Sequence, residues 1–389
     1  MIVRDNAKNI VKAFNEESGY TSVGCIIHSL QLVIKKEVIE FPAVKEALDK
    51  ARDICTHANK STTFSAELRK QQRLQIGGKE KVLIQDVPTR WNSTFDMGER
   101  FLELKVAIIA TIATTDNKLT QLTKTDWTYL EKATRVLQIF KEATLMFSSS
   151  NSSISKVIYV ITLIMRNLKE TLADHGVKQL KRALKAGMEE RFNDYETQDV
   201  YALSTYLDPR FKGFFFRDPE NAAQAKAKLV EKLEKMLTEE RSKNMEEQSQ
   251  SSMVMEVGVL VPNQPKRART TLANTRAEIM KSSIQDQQDS PKMEAEDFMN
   301  QYSNSSIMEE DSNVFDFWKT KSQSTKPVEK AAAKLAEFYL TPPPSSVDVE
   351  RLFSTAGDII TNERNRLLPE NAAKILFLRE NLPIVNFDY

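Results

Sequence analysis

A mainly helical fold with a small β element near one end is what this sequence predicts, and three observations carry that prediction. Glycine is scarce, 10 in 389 residues, which leaves few of the sharp turns a many-stranded protein needs. Long stretches rich in Lys, Glu, Leu and Ala favour helix by intrinsic propensity. Apolar residues recur at three- and four-residue spacing along most of the chain, almost purely so beyond Gly77 and Gly78, while strand-like runs are read at Ile2-Val3 and Ser22 to Ile27. The expected class is α+β, predominantly α, in two or three structural units, since domains cluster near ~100 to 200 residues.

Taken in order, Ile2 and Val3 read as a strand stub running into Asp5, and Ala7, Ile10, Val11 and Phe14 follow at helical spacing. Ser22 to Ile27 is a second β-branched run. Leu30, Ile34 and Val38 mark one helix, and Val44, Leu48, Ala51 and Cys55 mark another. Past Gly77 and Gly78 the periodicity is helical: Phe95, Leu102 and Ile109; Trp127, Leu130 and Leu137; Ile154, Val157, Ile158, Ile161, Met165, Leu168 and Leu172; then Leu180, Leu184, Met188 and Phe192. From about Glu239 the pattern dissolves into Ser, Gln, Met and Glu, so 239–312 reads as a largely disordered acidic linker. Order returns at Phe315 to Trp318. A helix with Ala332, Leu335, Ala336 and Tyr339 stops at Pro342-Pro343-Pro344. Ser345, three residues before Asp348, is a capping-box signature for the next helix, and Pro369 opens the last one.

Composition narrows the function classes. Fifty-five Lys and Arg stand against 54 Asp and Glu, so a polyanion has to be met by a local patch rather than by an overall field. Two cysteines are too few for a disulfide-stapled secreted fold, and nothing at the start resembles a signal peptide. The longest apolar stretch, Val157 to Met165, falls well short of the ~18 residues a membrane helix requires. No membrane association is expected.

The run from Ser345-Ser346-Val347-Asp348-Val349-Glu350-Arg351-Leu352-Phe353-Ser354 through Ala356-Gly357 to Asn365-Arg366-Leu367 resembles the C-terminal dimerisation region of the hAT transposase superfamily. Upstream, Arg4-Asp5-Asn6-Ala7-Lys8-Asn9, Cys25-Ile26-Ile27-His28-Ser29-Leu30-Gln31-Leu32, Pro88-Thr89-Arg90-Trp91-Asn92-Ser93-Thr94 and Leu207-Asp208-Pro209-Arg210-Phe211-Lys212 fall in that superfamily's order. They are particularly similar to host proteins of the zinc finger BED domain-containing kind. The resemblance implies a partial RNase H-like core over 1–57, a helical insertion domain over 58–238, the linker over 239–312, and a dimerisation region over 313–389 that completes the core.

Such a core implies three carboxylates holding two divalent cations, because in-line phosphodiester cleavage needs one metal to activate water and one to stabilise the leaving oxygen. By position Asp5 matches the second carboxylate and Glu350 the third; the first is expected on a strand before Met1. Both are therefore vestigial candidates, with helix capping and the helix dipole as their structural alternatives. No cofactor is expected for this chain, and Mg²⁺ only if a longer product completes the site. The resemblance gives Arg90, Trp91 and Asn92 a DNA-binding role, in which the indole stacks on an unpaired base; the alternative is a Trp anchoring its loop. Val349, Leu352, Phe353, Ala356 and Ile360, with Ala372, Leu376 and Phe377, form the dimerisation stripe. Lys266, Arg267 and Arg269 make a compact basic cluster of the nuclear-import type. Cys25, His28, Cys55 and His57 fit no zinc-finger spacing, and no metal site is assigned.

These expectations describe a domesticated, catalytically inactive hAT transposase-like nuclear protein. It would act as a homodimer, or with a related hAT-family partner, and associate with DNA in transcription regulation. A fragment of an active transposase and a helical protein-interaction scaffold are the alternatives.

Overall fold

The computed structural model describes residues 1–14, 19, 21–115, 119–149, 152–169, 176–253, 290–359 and 367–385. Leu172, Ile360 and the basic cluster Lys266, Arg267 and Arg269 lie outside the described residues. The described residues are 72% helical, so the mainly α class holds. Contacts divide it into two units, residues 1–156, 160–193 and 342–389 in one and 157–159 and 194–341 in the other. The four-segment division expected from sequence therefore differs from the division by contacts.

The first unit opens with β1 (Ile2–Arg4), α1 (Lys8–Ala13) and β2 (Ser22–Gly24). β1 and β2 pair in parallel with Val3 opposite Val23, as a β-α-β crossover allows. The second β-branched run ends earlier than Ile27, because Ile26 already begins α2 (Ile26–Ile34) and is fully buried there. A π-helical turn, Lys35–Ile39, carries α2 to Val38, also fully buried. Such turns are uncommon and accommodate one extra residue in a helical path. α3 (Pro42–Lys60) opens with Pro at its first position and buries Val44, Leu48, Ala51 and Cys55 at the predicted spacing. α4 (Thr62–Gln75) follows a Ser61 cap that accepts from the Phe64 N–H.

The predicted Phe95–Leu102–Ile109 stripe is not one face. Leu104 leaves helical geometry and splits the segment into α5 (Trp91–Glu103) and α6 (Lys105–Thr114), so Phe95, Phe101, Leu104 and Ile108 are buried while Ile109 is exposed. α7 (Lys124–Ser148) starts with a full capping box between Thr123 and Asp126. α8 (Lys156–Asn167) and α9 (Lys178–Phe192) follow, and α9 buries Leu180, Leu184, Met188 and Phe192 as expected.

In the second unit α10 (Asp199–Leu207) packs on α11 (Pro219–Met253), and α11 on α12 (Pro291–Asn304). The disordered reading of 239–312 is thus corrected at both ends: helix runs on to Met253, and 291–304 is helical. Ala295, Phe298, Met299 and Tyr302 supply a buried stripe that the Ser, Gln and acidic composition obscured. An Arg241–Glu294 ion pair at 2.9 Å joins the two helices. α13 (Val314–Ser322) and α14 (Pro327–Leu340) complete the unit, and α15 (Val347–Ile359) and α16 (Pro369–Asn381) return to the first.

Candidate functional site

Cys25 and Ser346, 321 positions apart in the chain, meet at the N-terminus of α2. The Cys25 N–H donates to the Arg4 carbonyl at 2.7 Å, which fixes the end of β1 against the start of α2. Ile26 would otherwise carry one of the orphan N–H groups of a helix start. It donates instead to the Pro344 carbonyl at 3.1 Å, and the Ser346 N–H reaches Cys25 Sγ at 3.5 Å. The Ser346 hydroxyl then donates to Glu350 at 3.1 Å. A capping box between Ser345 and Asp348 does not form, because Ser345 is buried and gives its hydroxyl to the Phe147 carbonyl, while Asp348 pairs with Arg351 at 3.0 Å.

Asp5 follows β1 directly. Its Oδ1 accepts the Asn6 N–H at 2.5 Å and lies 3.4 Å from His28 Nδ1, both side chains being partly exposed. This is not the predicted helix cap, since α1 starts after Ala7 with no side-chain cap. Asn6 is locked by donating to Ser29 at 2.9 Å and to the Cys25 carbonyl at 3.4 Å. A Cβ on Gly24 would lie 2.1 Å from Asn6 Oδ1, so only glycine permits this approach. Contacts through Cys25 thus join the segment carrying Asp5, Asn6 and His28 to the segment carrying Ser346 and Glu350. His28 was weighed only as a zinc ligand and Ser29 had no assigned role, and their spacing alone did not reveal the Asp5 and Asn6 contacts.

Mg²⁺ requires several hard oxygen donors converging on one point. Among the described residues no three His, Cys, Asp or Glu side chains are grouped to hold a metal ion. The residues present do not fit the implied Mg²⁺ site, and no step is derived through it. Cys25 faces Ser346, whereas Cys55 donates to the Ile84 carbonyl at 3.3 Å and His57 packs edge-on against Phe64. Burial, with the Asp86 charge, pushes the Cys55 thiol up to about 12, as expected for an inert packing cysteine.

The Arg90–Asn92 segment is held near α2 by a hydrogen bond from Gln31 to the Thr89 carbonyl at 2.8 Å. Arg90 is exposed, but Trp91 is only 2% exposed and packs edge-on with Phe95. In this conformation the indole faces are covered by protein, the anchoring arrangement, and stacking on a base requires the ring to leave its pocket. The dimerisation candidates divide: Ala372 is buried, Leu352, Ala356 and Leu376 are half-buried, and Val349, Phe353 and Phe377 are 50%, 70% and 66% exposed.

Two family models match the chain: the ZBED1 RNase-like helical domain over residues 23–136, and the hAT family C-terminal dimerisation region over residues 295–382. Human zinc finger BED domain-containing protein 4 is 28% identical over 389 residues, all of this chain and 31% of that protein. Human zinc finger BED domain-containing protein 6 is 25% identical over 419 aligned residues, all of this chain and 40% of that protein. A Talaromyces stipitatus protein named "Putative transcriptional regulator tpeD" is 26% identical over 338 residues, 85% of this chain and 35% of that one. The chain thus spans between 31% and 40% of the length of these curated relatives. Both matched regions and the order of the motifs agree: the chain carries a region similar to the hAT C-terminal dimerisation region and one similar to the ZBED1 RNase-like helical domain, and along its length it is similar to zinc finger BED domain-containing proteins.

Proposed function

We propose that this chain works in the nucleus as a self-associating, DNA-associated regulator of transcription that does not cut DNA. The observation that carries the reading is the open apolar face of α15 and α16. Val349, Phe353, Phe377 and Leu378 are all at least 47% exposed within the region matched by the dimerisation model. Exposed apolar side chains on two helices in mutual contact are of the kind that marks an interaction site. The relatives' names, two zinc finger proteins and one transcriptional regulator, support a nuclear and regulatory setting.

Two tagged copies of the chain are expected to co-purify, and Phe353→Asp with Phe377→Asp to abolish capture. Capture unaffected by the pair contradicts the reading. Replacing Lys266, Arg267 and Arg269 with Ala is expected to shift a tagged chain to the cytoplasm; unchanged nuclear accumulation counts against nuclear import through that cluster.

A nuclease reading has one specific observation in its favour, the contacts with Cys25 of both the Arg4–Asp5 segment and the Ser346–Glu350 segment. The engaged state of both carboxylates favours the non-cutting reading. Cleavage of labelled DNA by the chain with Mg²⁺ or Mn²⁺, lost in Asp5→Asn, would overturn it.

A further inference from the structure

α4 turns Phe64, Leu68, Gln71 and Gln72 inward and leaves Thr62, Thr63, Arg69, Lys70 and Arg73 exposed. It stands between two hollows. One of about 1160 Å³ is lined by Thr63, Lys70, Arg73 and Thr114, and one of about 380 Å³ by Asn59, Thr62, Ser65, Arg69 and Lys81. Residues 57–81 hold six Lys and Arg against two Glu, a surplus of four in a chain whose total is +1. Lys70 pairs with Glu67, Arg73 with Glu80 and Lys81 with Glu103. Among the described residues Lys60, Arg69 and Lys79 make no ion pair. Gly77 and Gly78, with φ angles of 75° and 76°, turn the chain back so that the Lys81 backbone pairs with the Gln72 side chain of the helix at 2.8 Å. Exposed ion pairs contribute little, so even the paired cations remain available to a stronger anion.

We propose that α4 is a docking ridge for the phosphate backbone of duplex DNA, bound without regard to sequence. The partner chemistry follows from the side chains. Phosphate oxygens in protein–DNA contacts are met by Arg and Lys together with Ser, Thr, Asn and Gln, and both flanks of α4 carry that mixture. Arginine adds bidentate geometry that suits phosphate. Arg69 and Arg73 are one turn apart, about 6 Å along the axis, close to two phosphate steps of about 3.4 Å on one strand. An acidic polypeptide could also meet these cations, hydroxyls and amides, but it presents no regular row of anions at the spacing of Arg69 and Arg73.

The inference rests on the DNA-association part of the proposed function, and the test separates the two. Binding of the full chain to a labelled duplex of arbitrary sequence is measured by fluorescence anisotropy over a range of salt. Arg69→Gln with Lys70→Gln and Arg73→Gln is expected to weaken binding by on the order of tenfold or more and to reduce the salt slope by about 2 to 3. Lys178→Gln with Lys185→Gln and Lys235→Gln removes the same charge elsewhere and is expected to change binding by less than about twofold if contacts at the ridge dominate. Equal effects of the two sets overturn the ridge and leave DNA association standing. No duplex binding by the parent chain overturns both. Labelled polyglutamate that binds better than duplex at equal charge, and loses binding in the α4 variant, assigns the ridge to an acidic protein and overturns the proposal. All six substituted side chains are surface positions, and matching thermal unfolding of the two variants keeps a folding defect out of the comparison.

Discussion

Between Asp208 and Lys212 the polar groups are closed in on one another, whereas along α15 and α16 the apolar groups are left open. Asp208 is fully buried and receives two parallel bonds from Arg210, at 2.9 and 2.7 Å. Lys212 is 1% exposed, and its ammonium reaches the Tyr302, Ser305 and Ser306 carbonyls and the Ser305 hydroxyl within 3.2 Å. It therefore caps the C-terminal end of α12, where carbonyls lack helical partners and a cation is favoured. Burial holds the Lys212 ammonium below its ordinary pKa, and its φ of 47° is the left-handed conformation that side chains rarely adopt. So demanding an arrangement persists only where its partners are complete, which makes it a device of the fold. The open face of α15 and α16 has the opposite character: little there is required by the monomer, so its surface is free to serve another molecule.

The largest expected effect is in the closed region. Asp208→Ala leaves the Arg210 guanidinium buried without its partner and should destabilise the second unit by about 3 to 5 kcal/mol in denaturant unfolding. A loss below about 1 kcal/mol would mean that the network is not structural and would break the contrast.

A second closed pair, in the first unit, sharpens it. Burial alone would raise the Asp86 carboxyl, but the Arg52 guanidinium at 2.8 Å and the Thr94 hydroxyl at 2.9 Å outweigh burial and hold it below the ordinary value. A carboxyl lower in the folded state than in the unfolded one adds stability above the unfolded pKa, which is lost as pH falls through the folded value. Acid unfolding should therefore show a contribution below about pH 4 that disappears in Asp86→Asn. An unchanged acid limb in that variant removes Asp86 from the account.

The smallest effect on folding is expected at the open face. Phe353→Ala with Phe377→Ala should alter unfolding of the separated chain by no more than about 0.5 kcal/mol per site, since both rings are mostly exposed. A loss of about 3 kcal/mol or more, as for a core Phe, would place the rings inside the monomer's own packing.

Local periodicity made much of this fold legible. The stripes on α3 and α9 and the Pro-opened α16 follow directly from spacing and from proline's fixed φ. Composition misled at α12, where four apolar residues at helical spacing were outweighed by their polar neighbours. The break at Leu104 was hidden because Phe95, Leu102 and Ile109 continue a plausible heptad through it. At the candidate site the motifs named Asp5, Cys25 and Glu350, but the bonds that join their segments are donated by the Cys25 N–H to the Arg4 carbonyl and by the Ser346 N–H to Cys25 Sγ. Pairings across so much sequence depend on tertiary packing, which no local window contains. Trp91 shows the converse limit: a motif supplied its identity, and only the fold supplied its burial.

Sedimentation equilibrium of the full chain over a concentration series tests the open-face claim most directly. The account predicts a mass rising from 44.4 kDa toward twice that value by tens of micromolar, on the order of a weak protein–protein Kd. It also predicts that Phe353→Ala with Phe377→Ala remains at the monomer mass throughout while unfolding normally. A parent chain that stays at 44.4 kDa over the whole series, or a variant that associates as the parent does, would contradict it.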